Sequence, residues 1–154
     1  MYFLILSAVL MSGCVGLPEN TKMVLSADQA AKEFQPNDEL ANVYIVHPRR
    51  RINGSVLQGV QIDGSDVGEL WLGNYFLFSL PPGRHTIAVA TEGHPGSPYI
   101  EMEAGNNYYY SVYEDTEHPS PLGPKGKVEI LDEEEGKQEI LRAVRAKPTF
   151  DPSM

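Results

Sequence analysis

Between residues 42 and 131, apolar and polar side chains alternate in short runs that are separated by turn-forming residues. A period of two is typical of strands that bury one face, and it differs from the longer period of an amphipathic helix. The turns contain glycine, proline or both, as at Asp63-Gly64, Gly73-Asn74, Pro81-Pro82-Gly83 and Ala104-Gly105. Seven or eight strands at roughly 8–12-residue spacing predict an all-β fold, an antiparallel β-sandwich.

A short helix is predicted on each side of this block. Ser26 followed by Gln29 has the spacing of a capping box, which predicts an N-terminal helix over residues 27–34. Asp132 and Glu135 repeat that spacing ahead of an apolar stripe, so a C-terminal helix is expected there. The stripe consists of Ile140, Leu141 and Val144.

One residue weakens the second helix prediction. Gly136 falls inside the helix, where glycine costs about 1 kcal/mol relative to alanine.

The domain is expected to cover residues 41–145, with the C-terminal helix included. Residues 146–154 are predicted to form a flexible tail, as chain ends do when nothing holds them.

The first thirteen residues form an uncharged, mostly apolar run. The run is shorter than the ~20 residues that a bilayer-spanning helix needs, and its length suits the apolar region of a signal peptide. Residues 1–13 are therefore predicted to be a signal peptide. Residues 14–40 then read as a tether with a short helix, which could extend at most ~90 Å if it were fully stretched.

The end of this run carries a resemblance. Leu10-Met11-Ser12-Gly13-Cys14 resembles the lipobox of bacterial lipoproteins. The resemblance implies a diacylglycerol on Cys14, cleavage before it and an acylated amine, so that lipid anchors the chain to a membrane. In the lipoproteins of enteric bacteria, an aspartate directly after the cysteine retains the protein in the inner membrane. Val15 and Gly16 stand there instead, so the resemblance implies an outer-membrane protein that faces the periplasm. The alternative is that Cys14 packs as a small apolar residue.

Composition excludes several other classes of protein. Twelve basic against twenty-one acidic residues give a net charge of −9, which argues against nucleic-acid binding. A single cysteine allows neither an intramolecular disulfide nor a CxxC metal site, and the four histidines lack metal-ligand spacing. We therefore expect no cofactor and no metal.

Two glutamates are the candidates for catalysis. Glu101 and Glu103 lie two residues apart on a predicted strand, so both point to one face with Cα atoms ~6.7 Å apart. Paired carboxylates of this kind serve glycoside hydrolysis. The alternative, which we favour, is the solvated face of a half-buried strand, because nothing in the sequence indicates the buried carboxyl that acid catalysis requires.

Two further clusters are candidates for contact with a ligand or partner. Arg49-Arg50-Arg51 could touch lipid headgroups, lipopolysaccharide phosphates or peptidoglycan carboxylates, or could be a solvated loop. Tyr109 and Tyr113 share one face of a strand whose other face carries Tyr108 and Tyr110. The outward pair could stack on a sugar or a protein partner, and the alternative is packing beneath the C-terminal helix.

A series of short segments in a fixed order resembles a bacterial lipoprotein domain family of unknown function, numbered 2846. The resemblance covers about residues 41–143, and it implies an exported all-β domain but no reaction. The proline-glycine turn before a strand is also similar to PEGA-type β-sandwich domains of envelope proteins. The segments are Ala41–Val46, Val60–Gly64, Gly73–Phe76, Pro82–Ile87, Ala104-Gly105 before Tyr108-Tyr109, and Glu135-Gly136.

These observations lead to one functional hypothesis and two alternatives. The hypothesis is a lipid-anchored, non-catalytic module that contacts an envelope protein or a cell-wall polymer through an exposed strand edge or the tyrosine strand. The first alternative is a small envelope glycan hydrolase that uses Glu101 or Glu103 as acid/base. The second is a structural spacer without a specific ligand.

Overall fold

The computed structural model describes residues 19–49, 57–90, 99–120 and 123–152, with backbone alone for 19–24, 117–120 and 123–124. Cys14, Arg50 and Arg51 lie outside these residues. The described chain is mostly β, with two α-helices and ten strands, several of them only two or three residues long. In order they are α1 (Glu19–Ala31), β1 (Ala41–Val46), β2 (Leu57–Ile62), β3 (Ser65–Trp71), β4 (Asn74–Leu80), β5 (Gly83–His85), β6 (Ile87–Val89), β7 (Ile100–Met102), β8 (Asn107–Ser120), β9 (Gly123–Leu131), α2 (Glu133–Arg142) and β10 (Val144–Arg145).

The strands form one large sheet and two smaller ones. The large sheet has the order β10-β4-β1-β8-β9, the second sheet has the order β3-β2-β6, and β5 pairs with β7. Alternate residues of the first two sheets enclose a common apolar core, as period-two strands require. That core includes Val43, Ile45, Phe76, Phe78, Tyr110 and Val112 from the large sheet and Val60, Ile62, Val67, Leu70, Ile87 and Val89 from the second.

The large sheet is mixed, so the prediction of a purely antiparallel fold is wrong. Strand β1 runs antiparallel to β4 but parallel to β8, and β10 runs parallel to β4. A parallel neighbour needs a crossover connection instead of a hairpin. The chain between β1 and β8 contains all the strands of the smaller sheets, and it returns to the large sheet in the same direction.

The run from residue 85 to residue 90 reads as a single strand in the sequence, but the structure divides it at Thr86, which is one reason why the strand count differs. Strand β5 pairs with β7, whereas β6 pairs with β2, so the chain changes partner at this residue. The Asp63 carboxylate accepts the backbone N–H of Thr86 at 2.8 Å, and the Thr86 carbonyl accepts the N–H of Asp63 at 3.0 Å. A side chain thus satisfies the backbone where strand pairing is interrupted.

The second difference is the segment 116–126, which is predicted as a loop. Most of it belongs to a long hairpin, because β8 continues to Ser120 and β9 begins at Gly123. The pairing shifts register between Asp115 and Ser120, where the proline- and glycine-containing sequence interrupts the regular ladder.

Both helices cover the outer face of the large sheet. Helix α1 begins at Glu19, ahead of the predicted start at residue 27, and it ends at Ala31, before the left-handed backbone of Phe34 (φ 53°). Helix α2 begins where predicted, because the Asp132 carboxylate caps the N–H of Glu135 at 2.8 Å. It ends before Val144, which the sequence assigns to the helix and the structure places in β10.

Within the described residues, neither helix combines the length and the apolar character needed to cross a membrane.

Candidate functional surfaces

The tyrosines of β8 are structural residues of the domain. Tyr109 and Tyr113 are only 3% and 5% exposed, and Tyr110 is buried in the common core on the opposite face. Tyr109 stacks on Tyr44 with ring centroids 5.2 Å apart, and the ring of Phe34 meets it edge-on at 6.1 Å. This geometry matches the packing alternative, and it leaves neither Tyr109 nor Tyr113 with the open ring face that stacking on a ligand requires.

Gly136 explains how α2 approaches this strand so closely. A Cβ atom at residue 136 would lie 2.3 Å from Cγ of Tyr109, far inside van der Waals contact. The residue that argues against the helix in the sequence is therefore the one that lets the helix pack on the tyrosine ring. Ile140 and Ala143 join Tyr109 in a second apolar cluster between the helices and the sheet.

A buried polar cluster fastens α1 to the same sheet face. The Asp28 carboxylate accepts the hydroxyl of Tyr75 at 2.9 Å, the backbone N–H of Arg145 at 2.9 Å and Nζ of Lys32 at 2.8 Å. Lys32 also donates to the Ala143 carbonyl at 2.7 Å. Through Asp28 the cluster joins α1 to β4 and β10, and through Lys32, directly after α1, it also reaches the Ala143 carbonyl at the end of α2.

The electrostatics of this cluster follow from burial and hydrogen bonding. Burial alone would raise the pKa of Asp28, but the hydrogen bonds from Lys32, Arg145 and Tyr75 outweigh it and hold that pKa below its ordinary value. Burial, followed by the hydrogen bond to Asp28, raises the pKa of Tyr75. Burial raises the pKa of Tyr44 to about 12. The tyrosines therefore remain neutral donors at physiological pH.

The two candidate acid/base glutamates lie in open positions. Both Glu101 and Glu103 are exposed, with Glu101 on β7 and Glu103 directly after it. Glu103 accepts Nδ2 of Asn106 at 3.3 Å, and its backbone N–H donates to the Tyr108 hydroxyl at 2.8 Å. The placement matches the solvated strand face and supplies neither carboxyl with the apolar surroundings of a general acid.

His85 forms a close polar contact with the turn between β2 and β3. Its Nδ1 lies 2.7 Å from the Asp63 carboxylate, and its Nε2 lies 2.8 Å from the Pro81 carbonyl. Partial burial disfavours the imidazolium, but these two acceptors raise the pKa of His85 above its ordinary value. In return, hydrogen bonds from His85 and Thr86 outweigh partial burial and lower the pKa of Asp63.

Arg49 lies beside the end of α2, and nothing in the sequence indicates that these two parts of the chain are close together. Its side chain covers Gly73, where an added Cβ would clash with it. Arg49, Arg142, Ala143 and the buried Glu139 line a cavity of about 120 Å³. The carboxylate of Glu139, the one acid among the described residues that line this cavity, is 3.7 Å from the Arg142 guanidinium and so already faces a cation.

Metal binding finds no support in the part of the chain that the structure describes. No group of three or more histidine, cysteine, aspartate or glutamate side chains there is arranged to hold an ion. His47 is buried, and its Nδ1 lies 3.3 Å from the Leu70 carbonyl. Burial lowers the pKa of His47, so the imidazole is neutral at physiological pH.

Comparison with known proteins gives the family and nothing about its activity. Residues 37–126, more than half of the chain, match the family described as protein of unknown function (DUF2846). The chain belongs to DUF2846. No curated protein and no solved structure matches it. The match extends from the turn before β1 to the first residues of β9, so it includes neither helix, nor β10, nor the rest of β9.

One edge of the large sheet of this DUF2846 protein is strand β9, and the other is the two-residue strand β10. Strand β9 closes one side of the large sheet, and among the described strands it pairs with β8 alone. Ile130 lies opposite Tyr110 on the core side of the sheet, yet 68% of its surface is exposed. An apolar residue on the core side of an alternating strand is expected to be buried, and nothing in the sequence shows that Ile130 is left uncovered.

Proposed function

We propose that this chain is a lipid-anchored module of the bacterial cell envelope that acts by binding and not by catalysis. A lipid on Cys14 anchors the chain in the outer membrane, and its sandwich-like β domain faces the periplasm. The domain contacts an envelope protein or a cell-wall polymer. The lipobox-like sequence before Cys14 supports the attachment, since the apolar run ahead of it is too short to span a bilayer.

The exposed edge of β9 is the observation that carries the binding proposal. An edge strand offers backbone N–H and C=O groups to an added strand, and this edge also presents the uncovered side chain of Ile130. The exposed ammonium groups of Lys125 and Lys127 repel an identical edge and favour a partner that carries carboxylates. Backbone pairing of this kind suits a protein partner better than a polymer.

The attachment is tested by mass spectrometry of the protein extracted from membranes. We expect the mature N-terminal peptide to begin at Cys14 and to carry a diacylglyceryl group and an acyl chain. The Cys14→Ser variant is the control, and it should lose the lipid and leave the membrane fraction. A chain that keeps residues 1–13 and an unmodified thiol would contradict the proposal.

The binding edge is tested by photo-crosslinking in whole cells. A photoreactive residue in place of Ile130 on β9 should capture a defined partner, and one in place of the exposed Glu134 on α2 should not. Ile130→Lys should reduce capture of that same partner by a probe at Lys127. Equal or absent capture at residues 130 and 134 would favour the structural spacer instead.

A further inference from the structure

The course of α1 shows on which side of the domain the N-terminal segment leaves. Followed backwards, the ring of Phe34 lies against β8, the carbonyl of Ala31 accepts from β1, and the carboxylate of Asp28 accepts from β4 and β10. These strands follow one another across the sheet in that order, and β10 is the last of them. The helix therefore crosses the sheet diagonally, and its first turns reach the β10 side.

The distance from the anchor to the domain is then short. The nine residues from Glu19 to Asp28 rise about 14 Å as a helix, and the five residues from Cys14 to Glu19 span at most ~18 Å. A lipid on Cys14 would thus lie within about 30 Å of Asp28, about a third of the reach of a fully extended tether. This step rests on the lipid attachment proposed above.

The surface on that side, here called the β10 rim, carries three arginines. It comprises Arg49, Arg142 and Arg145 with the apolar side chains around them. Arg49 and Arg142 line one cavity, and the Arg142 side chain is 69% exposed. Arg145 belongs to β10 and donates a guanidinium hydrogen bond to the Ala27 carbonyl of α1 at 3.2 Å.

The carboxylates near these arginines offset only part of their charge. Glu139 is buried and lies 3.7 Å from the Arg142 guanidinium, so it compensates part of that charge, whereas the buried Asp28 is paired with Lys32. The three successive glutamates of α2 occupy its first turn, about 10–14 Å from Arg142 along the helix axis. The rim therefore presents the exposed side chains of Arg49 and Arg142, with Arg145 half-buried beside them, although the whole chain carries a net charge of −9.

Exposed apolar side chains accompany the arginines. Leu141 is 57% exposed beside Arg142, Val144 of β10 is 47% exposed, and Leu25 lies on the part of α1 that leads to the anchor. Cations next to exposed aliphatic groups suit the boundary between phosphate headgroups and acyl chains. A protein partner with acidic residues is the other occupant to be tested.

We propose that the β10 rim rests on the anionic headgroups of the membrane that holds the Cys14 lipid. The phosphate groups pair with Arg49, Arg142 and Arg145, while Leu141 and Val144 enter the headgroup region. The opposite side of the large sheet, with β9 and Ile130, then points away from the membrane and remains open to a partner.

The orientation is measured with the full-length lipidated protein in vesicles of phosphatidylethanolamine and phosphatidylglycerol. With Cys14 acylated, a cysteine in place of Leu141 or Ile130 is the only free thiol and takes a fluorophore. A nitroxide on the lipid headgroup should quench the label at residue 141 strongly and the label at residue 130 weakly. Equal quenching, or stronger quenching at residue 130, would overturn the inference.

Charge variants separate a lipid contact from simple nearness. The double variant Arg49→Gln with Arg142→Gln should weaken the docking of the domain on the membrane. The equilibrium constant between the docked and undocked states should fall about five-fold for each charge removed. Lys125→Gln with Lys127→Gln removes the same charge from the β9 edge, and it should leave quenching at residue 141 unchanged. In vesicles of phosphatidylcholine alone, the two double variants should behave alike.

The two proposals fail in different ways. If the protein floats with the vesicles but the labels at residues 141 and 130 are quenched equally, the lipid anchor is supported and the contact between the β10 rim and the membrane is overturned. If the protein stays in solution and the Cys14 thiol itself takes the fluorophore, both the lipid attachment and the rim contact are overturned. Quenching at residue 141 that depends on another envelope protein and is absent from pure lipid assigns the rim to a protein partner, which also overturns the inference.

Discussion

At the scale of single residues, two buried tyrosines on opposite faces of the large sheet differ in the hydrogen bonding of their hydroxyl groups. Tyr75 donates to the Asp28 carboxylate, whereas the Tyr110 hydroxyl contacts no hydrogen-bond partner among the described residues. Tyr75→Phe should lower the free energy of unfolding by about 1.5–3 kcal/mol, because it removes a hydrogen bond to a buried charge. Tyr110→Phe should change it by less than about 1 kcal/mol, or raise it. Urea unfolding of both variants checks this, and equal losses would contradict it.

The contact between His85 and Asp63 makes a pH-dependent contribution to stability. A His85 pKa that is raised by folding contributes stability below the unfolded value near 6.5, and this contribution is lost as pH rises through the folded pKa. The lowered Asp63 pKa contributes above its ordinary value of 3.8 and is lost as pH falls through the folded value. His85→Gln should therefore cost more at about pH 5.5 than at about pH 8.5. The cost stays below about 1 kcal/mol, because Asp63 is exposed. Urea unfolding at both pH values measures it, and a cost independent of pH would be the contrary result.

At the scale of elements, the docking of α2 depends on one missing side chain. Gly136→Ala gains about 1 kcal/mol of helix propensity, but its Cβ would overlap the Tyr109 ring. The variant should be less stable than the parent by about 1–3 kcal/mol, because overpacking outweighs propensity. Gln138→Ala, two residues later on the exposed face, is the matched control and should be neutral or slightly stabilising. Thermal unfolding compares them, and a stabilised Gly136→Ala would show that the helix is held more loosely.

The same element shows why some features are predictable and others are not. The Asp132 cap and the alternating strands are local, so they can be read from residues a few positions apart. The parallel pairing of β1 with β8 joins residues 65 positions apart, as Asn42 and Asn107 are, and no local pattern encodes it. The surroundings of the candidate site residues are equally non-local. Arg49 meets Arg142 only because β10 and α2 return to the start of β4.

At the scale of the whole molecule, α1 is part of the domain although the family match excludes it. Asp28, Ala31 and Phe34 cover the outer face of the large sheet, where Tyr44, Tyr75 and Tyr109 would otherwise meet water. A segment that reads as a tether in the sequence is thus a third layer of the fold. This arrangement fixes where an N-terminal anchor would lie relative to the β9 edge.

The contribution of α1 is measured by shortening the chain. A chain that begins at Asn37, at the boundary of the family match, should retain both main sheets but expose the tyrosine face. We expect a lower unfolding midpoint and new binding of an apolar dye, because about three aromatic rings lose their cover. Asp28→Ala in the longer chain is the milder counterpart. It leaves Tyr75 and the N–H of Arg145 without their acceptor, and it should lose about 1–3 kcal/mol while α1 stays present. A matched chain that begins at Glu19 should be as stable as the chain that begins at Cys14, since the structure ties the helix down from Asp28 onwards. If the chain from Asn37 unfolds at the same midpoint and binds no dye, α1 is not a layer of the domain, and the short distance between anchor and sheet no longer follows.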